Sequence, residues 1–169
     1  PSVHTPDFLE PVTYACQVAR VVLIEDAMWH VDLLLPAGKT AHFWPGQYLL
    51  LHFINAEGVE EQVPYSIACA PSDLTGQDPR RIELHIASHT ERAECIVCFL
   101  KDAVVVRVTL PQGDCFLNKR TLPSFKAQPL LLVAAGSGFT QIKSLVEGIL
   151  ALQPEQELHI YWSNKNAAG

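Results

Sequence analysis

Lysine and arginine nowhere gather into a run, and acidic side chains outnumber basic ones by 18 to 12, for a formal charge of −6. That balance lacks the electrostatic footprint of a nucleic-acid binder, so no nucleic-acid partner is expected. Long hydrophobic runs are also missing. Stretches such as Tyr48 to Ile54 and Leu130 to Ala135 fall far short of the roughly 20 residues that a bilayer-spanning helix needs. The opening residues Pro1 to Phe8 have neither the basic nor the apolar region of a signal peptide. A soluble, cytoplasmic protein without a membrane partner is the expectation. There is no internal repeat and no low-complexity tract. The five cysteines, Cys16, Cys69, Cys95, Cys98 and Cys115, form an odd set that suits reduced thiols better than a disulfide framework.

What is present is an apolar fraction of 49%, enough for the core of one comfortable domain or two small ones. From Tyr14 to Leu110 short strands alternate with turn residues, with candidates at 14–24, 29–35, 47–54, 64–69, 80–87 and 103–110. Six strands of that length predict a closed antiparallel barrel. Ile82, Leu84 and Ile86 alternate with Glu83 and His85, and Val104, Val106, Val108 and Leu110 alternate with Arg107 and Thr109, so one face of each strand is core. Ala93, Ile96, Val97 and Leu100 have the spacing of a short amphipathic helix that plugs one barrel end. Ala37 to Pro45, Asn55 to Gln62 and Pro71 to Pro79 read as loops.

After Pro111 the pattern changes. Leu130 to Ala135 is a strand, Gly136-Ser137-Gly138 breaks it, and Phe139, Ile142, Leu145, Val146, Ile149 and Leu150 recur at helical steps up to Pro154. Leu158 to Trp162 is a further strand. The expected organisation is a barrel over 1–111, a connection over 112–128 and a partial parallel βαβ unit over 129–169. Two parallel strands and one helix are too few for a complete dinucleotide-binding domain, whose sheet needs both faces covered.

A strand running through Gly-Ser-Gly into a helix can hold a phosphate, because glycines let the backbone approach and the helix N-terminus offers unpaired N–H groups. Gly136, Gly138 and Thr140 are the candidates, although a glycine pair can equally serve only to turn the chain. Pro64-Tyr65-Ser66 sets an aromatic ring and a hydroxyl on neighbouring strand positions. On its own that pair reads as local packing and a backbone hydrogen bond. Cys95-x-x-Cys98 falls on the short helix and is expected to be buried apolar surface rather than half a zinc site, so no metal is assigned. His85 and His89 are expected to be surface residues, His52 and His159 structural ones, and Glu57 to Glu61 a solvated loop. No Ser-His-Asp or paired-carboxylate arrangement stands out.

The ordered set Pro45-Gly46-Gln47-Tyr48, Pro64-Tyr65-Ser66, Ile82-Glu83-Leu84-His85-Ile86, Leu110-Pro111-Gln112-Gly113, Ala135-Gly136-Ser137-Gly138-Phe139-Thr140 and Ile160-Tyr161-Trp162 resembles the ferredoxin–NADP reductase-like flavoproteins, especially the bacterial NAD(P)H:flavin oxidoreductases. The resemblance implies a flavin-binding barrel packed against a domain that binds NADH or NADPH, and hydride transfer from nicotinamide C4 to flavin N5. By that analogy Tyr65 contacts the ring of FMN, FAD or riboflavin, and Ser66, the residue that would be catalytic, bonds close to N5. Pro64, Gly46 and Gln47 also contact the flavin, while Gly136, Gly138 and Thr140 face the nicotinamide nucleotide. Such a site works by aligning two rings and needs no protein nucleophile.

Two departures accompany the resemblance. Val63 stands where the family carries an arginine, which removes a charge-assisted contact of roughly 1.5–3 kcal/mol, and His89 to Arg92 shows no second phosphate signature; both argue against tightly held FAD. The second domain is short, so the isolated polypeptide is expected to reduce free flavin slowly or not at all. The alternative is a non-catalytic flavin-binding or interaction module of the same fold, which self-associates or docks on an electron-acceptor protein.

Overall fold

The computed structural model describes residues 9–118 and 128–163. The chain start at 1–8, residues 119–127 of the expected connection and the tail 164–169 lie outside the described residues. Six antiparallel strands form one sheet: β1 (Val12–Glu25), β2 (Met28–Leu34), β3 (Tyr48–Ile54), β4 (Glu60–Ser66), β5 (Arg81–Ala87) and β6 (Val105–Gln112). Their spatial order is β4-β3-β6-β1-β2-β5. The period-2 pattern accounts for the core: Ile82, Leu84 and Ile86 are fully buried on β5, and Val106, Val108 and Leu110 are buried on β6. Val104 is 76% exposed, because it precedes β6 rather than belonging to its inner face.

The largest difference from the expected strands is at β4. Charged side chains made 57–61 look like a loop, yet Glu60, Glu61 and Gln62 pair with Ile54, Phe53 and His52. The polar residues are explained by their partners. His52 is buried, with Nδ1 2.5 Å from Glu60 Oε1 and Nε2 2.8 Å from Thr109 Oγ1, so it is the structural histidine expected. Arg107 reaches Glu60 as well, at 3.3 Å. The turn itself is only Asn55 to Val59, closed by the Asn55 side chain accepting the N–H groups of Glu57 and Val59.

Helix α2 (Glu91–Asp102) follows β5. Thr90 caps it by accepting the Ala93 N–H at 3.2 Å, a bond that satisfies one orphan donor of the first turn. Ile96, Val97 and Leu100 are buried against β1, β3 and β5, which is the expected plug. Within 71–79, read as loop, Ser72–Thr75 forms a single helical turn, α1.

Strands β7 (Leu130–Ala135) and β8 (Leu158–Ser163) pair in parallel on either side of α3 (Phe139–Leu152) in sequence. Ala134, Ile142, Leu145 and Ile149 form their buried cluster. On the opposite face Leu131, Val133 and Tyr161 are exposed, as a two-stranded sheet covered on one side must leave them.

Helix α3 also docks on the barrel. A Cβ on Gly148 would collide with the Pro45 ring, so the absence of a side chain there sets how closely helix and barrel approach. Polar groups seal the contact: Ser144 Oγ donates to Cys69 O at 2.9 Å, Lys143 Nζ donates to Ala68 O at 2.7 Å, and Glu147 Oε2 accepts the Ala70 N–H at 3.0 Å. Lys143 also lies 2.7 Å from Glu147 and 3.4 Å from Glu83, which is 6% exposed. Burial opposes ionisation of Glu83, but its hydrogen bond with His85 and the charges of Lys143, His30 and Arg81 outweigh burial and hold the carboxyl down at about 2.

Two outcomes are expected. Gly148→Ala should lower the urea-unfolding free energy by about 1–3 kcal/mol, the typical cost of overpacking, because the Pro45 ring cannot swing aside. Because the folded-state pKa of Glu83 is depressed, its stabilisation is present above the unfolded value near 4.5 and is lost as pH falls toward about 2,. The advantage of the native chain over Glu83→Gln, on the order of 3 kcal/mol at pH 6, should therefore shrink between pH 4.5 and 2 when urea midpoints are compared. A constant difference across that window would contradict the assignment.

Candidate functional site

The barrel is not fully closed. Strands β4 and β5 are the two ends of the sheet order, and they meet only through the bridge Ile67–Leu84 and the bond from Ala68 N–H to Glu83 O at 2.8 Å. Past Ser66 the chain leaves the ladder, so the last residues of β4 and β5 diverge and the N-terminal turn of α3 sits beside them. The result is a cleft of about 230 Å³ lined by Pro64, Tyr65, Ser66, His85, Ala87 and Thr140.

Each wall has a local cause. Pro64 cannot donate to a ladder, and it is tolerated opposite Leu50 because β4 is an end strand of the sheet,. Tyr65 packs its ring against the edge of the barrel core while remaining partly exposed. Burial raises its phenol pKa, and the Arg92 charge works in the opposite direction, so the hydroxyl is a proton-bearing donor at neutral pH. Tyr65 and Ser66 alternate in direction along the strand, yet both reach the cleft, because the cleft lies across the open seam rather than on one face. Thr140 is 6% exposed, one residue inside α3.

The sequence candidates therefore divide. Pro64, Tyr65, Ser66 and Thr140 are brought together. Gly46 and Gln47 are not part of this cleft. Gln47 accepts the Trp44 N–H at 2.7 Å and donates to Gly113 O at 3.1 Å. Gly46 has φ +101, and a Cβ there would fall 2.6 Å from Cys115 O; its carbonyl accepts from Gln141 Nε2 at 3.0 Å. Both residues fasten the 44–47 turn to the segment after β6 and to α3. Gly136 and Gly138 likewise stand away from the cleft: they form the 3₁₀ turn before α3, and Gly136 O accepts the Trp162 indole N–H at 3.1 Å while Trp162 stacks on Phe139 at 4.7 Å. Val63 is buried in the core cluster.

Three readings of single residues need correction. His85 is not a free surface histidine: its ring is largely covered and its Nε2 lies 2.9 Å from Glu83 Oε1. His30, Asp32 and Arg81 complete that group, with Arg81 3.0 Å from Asp32 and 3.1 Å from Glu83. The signal was available in the sequence as His30-x-Asp32 and Glu83-x-His85, two polar pairs at strand spacing, but it becomes visible only once β2 and β5 are known to be neighbours. Cys95 and Cys98 are exposed on α2 rather than buried. The inert thiols are Cys16 and Cys69, which burial raises to about 12 and about 11. His89 makes no contribution to the cleft, and His159 is an exposed partner of Glu157 at 2.8 Å.

No helix among the described residues is long and apolar enough to cross a membrane. No family model matches the chain. The chain is 33% identical to reductase component 2 of terephthalate 1,2-dioxygenase from Comamonas over 99% of its length, which covers 47% of that relative. It is 27% identical to the NAD(P)H-flavin reductase of Vibrio harveyi over 80% of its length and 54% of that protein. Among solved structures, the Amycolatopsis cytochrome P450 reductase GcoB superposes with a TM-score of 0.73 at 24% identity, over 94% of this chain and 45% of that one. The chain thus spans about half the length of the curated relatives it matches. A six-stranded antiparallel barrel followed by a short parallel βαβ segment, together with these matches, makes the chain a member of the ferredoxin–NADP reductase-like family of FAD/NAD-binding reductases.

Proposed function

We propose that the protein is an NAD(P)H-dependent flavin oxidoreductase of the flavin-reductase type, and that the cleft over the β4–β5 seam receives the edge of the flavin ring. The observation that carries this reading is the lining: one tyrosine face, one proline and one alanine, with Ser66, His85 and Thr140 as the polar groups. Pocket volumes for whole small ligands run from about 300 to 1,000 Å³, so a cleft of about 230 Å³ suits a ring rather than a complete nucleotide. Flavin, when bound, supplies the ability to take up a hydride and to pass electrons on.

The chain's own residues then have separate tasks. Tyr65 and Pro64 give a flat apolar wall that fixes the plane of the ring and excludes water from one side. Ser66 offers a hydroxyl at the rim as a hydrogen-bond donor to the ring edge, and Thr140 closes the cleft from the α3 side. His85 is held in one orientation by Glu83, which makes it a positioned polar group rather than a mobile one. With Val63 in place of a cation, the phosphate end of a flavin nucleotide is left to Arg92, whose charge reaches Tyr65. Under this reading residues 1–111 are the flavin barrel, 112–128 a connection and 129–169 the opening of the nucleotide-binding unit. The nicotinamide nucleotide, a cytoplasmic location and an oxygenase or ferredoxin-type electron acceptor belong to the same proposal, suggested by the reductase relatives.

Titration of the protein into FMN, FAD and riboflavin, followed by flavin fluorescence, tests it. Quenching with micromolar affinity is expected. Tyr65→Ala should weaken it about tenfold through loss of ring stacking, and Ala87→Phe, which fills the cleft without removing a hydrogen bond, should abolish it while the far-ultraviolet circular dichroism is unchanged. Ser66→Ala should alter affinity only a few-fold, the size of one neutral hydrogen bond. Flavin that binds equally well to Ala87→Phe would place the ring elsewhere and sink the proposal.

A further inference from the structure

The outer face of the β2–β5 pair carries a set of donors that the flavin reading does not use. His30 pairs directly across the ladder with His85, and Asp32 with Glu83. Directly opposed residues of an antiparallel pair hold their side chains on the same face within contact distance, and here three ligand-type atoms converge. His30 Nδ1 is 3.5 Å from Glu83 Oε1, His85 Nε2 is 2.9 Å from the same oxygen, and all three atoms lie within 4.8 Å of one another. In a tetrahedral zinc site, bonds of about 2.0–2.1 Å put neighbouring ligand atoms about 3.3 Å apart, close to the two shorter separations.

We infer that His30, Glu83 and His85 form a three-ligand site for a divalent transition ion, of which zinc is the best match. Two imidazoles and one carboxylate favour zinc over calcium or magnesium, which take oxygen donors, and three protein ligands leave a fourth position for water. The surroundings are those of a supported site. Asp32 Oδ1 lies 3.0 Å from His30 Nε2, so the carboxylate fixes the ring and leaves Nδ1 to face Glu83, the arrangement by which carboxylates orient ligating histidines.

Two cations share the cluster, and an ion would have to enter beside them. Arg81 contacts Glu83 through Oε2 at 3.1 Å and, at 3.0 Å, Asp32 Oδ1, the oxygen that also faces His30 Nε2. Lys143 Nζ is 3.4 Å from Glu83 Oε1, the proposed ligand atom, but makes its short bonds, both 2.7 Å, to Ala68 O and Glu147, so only its long contact would give way to the ion. An ion here would tie β2 to β5 at the edge of the open seam, one side chain from the cleft that His85 lines.

Titration of Co²⁺ into chelator-treated full-length chain, read by visible absorption, tests this. A ligand-field band of tetrahedral type that saturates at one equivalent and is displaced by Zn²⁺ is expected. His30→Ala and His85→Ala should abolish it, Asp32→Asn should weaken it about 10- to 100-fold as the loss of an orienting partner does, and His159→Ala should leave it unchanged. As a check independent of folding in the variants, crystals of the native chain grown with Zn²⁺ should show an anomalous peak among the three named atoms. Absence of one-equivalent binding, a band that survives both histidine substitutions, or a peak at Cys95 and Cys98 instead would overturn the inference.

Discussion

The geometry of the candidate site follows from a seam that the sheet cannot zip. A six-stranded antiparallel sheet closes into a barrel only if its two ends pair, and here they meet through the bridge between Ile67 and Leu84 and the bond from Ala68 N–H to Glu83 O. The backbone groups that a longer ladder would have used are partly satisfied from outside. Ala68 O takes the Lys143 ammonium, Cys69 O takes the Ser144 hydroxyl and Ala70 N–H reaches Glu147. Helix α3 therefore substitutes for strand pairing at the opening, and the same docking that seals the core there brings Thr140 to Tyr65 and Ser66.

That substitution also explains why a carboxylate is tolerated under the helix. Glu83 is stripped of water by α3, an arrangement that is costly for an isolated charge, and it is retained because His85, Arg81 and Lys143 surround it. A polar cluster that is fully partnered fixes the relative position of two elements more sharply than apolar contact alone. Gly148 against Pro45 sets the other end of the same interface. Between these two points the helix has little freedom to slide along the barrel.

Much of this was legible in the chain. Alternation at Ile82 to Ile86 and at Val106 to Leu110, and helical spacing at Ile96 to Leu100 and Phe139 to Leu150, place the strands and helices, because burial on one face leaves a fixed period. The tripeptide Pro64-Tyr65-Ser66 marked the cleft. The rest needed the third dimension. Glu60 and Glu61 looked like loop residues because their partners His52 and Arg92 are 8 and 31 residues away. Gly46 and Gln47 carried a motif whose spacing says nothing about whether its groups face a ligand or, as here, the neighbouring backbone. His30 and His85 lie 55 positions apart in the numbering, and only the β2–β5 register makes them neighbours.

The central claim is that the open seam is a flavin-ring site, and a crystal of the protein soaked in FMN addresses it without reliance on rates. Planar density against the Tyr65 ring, with its edge at Ser66 and Thr140, is the result this account predicts. A cleft that stays filled by solvent while flavin orders elsewhere on the molecule would contradict it.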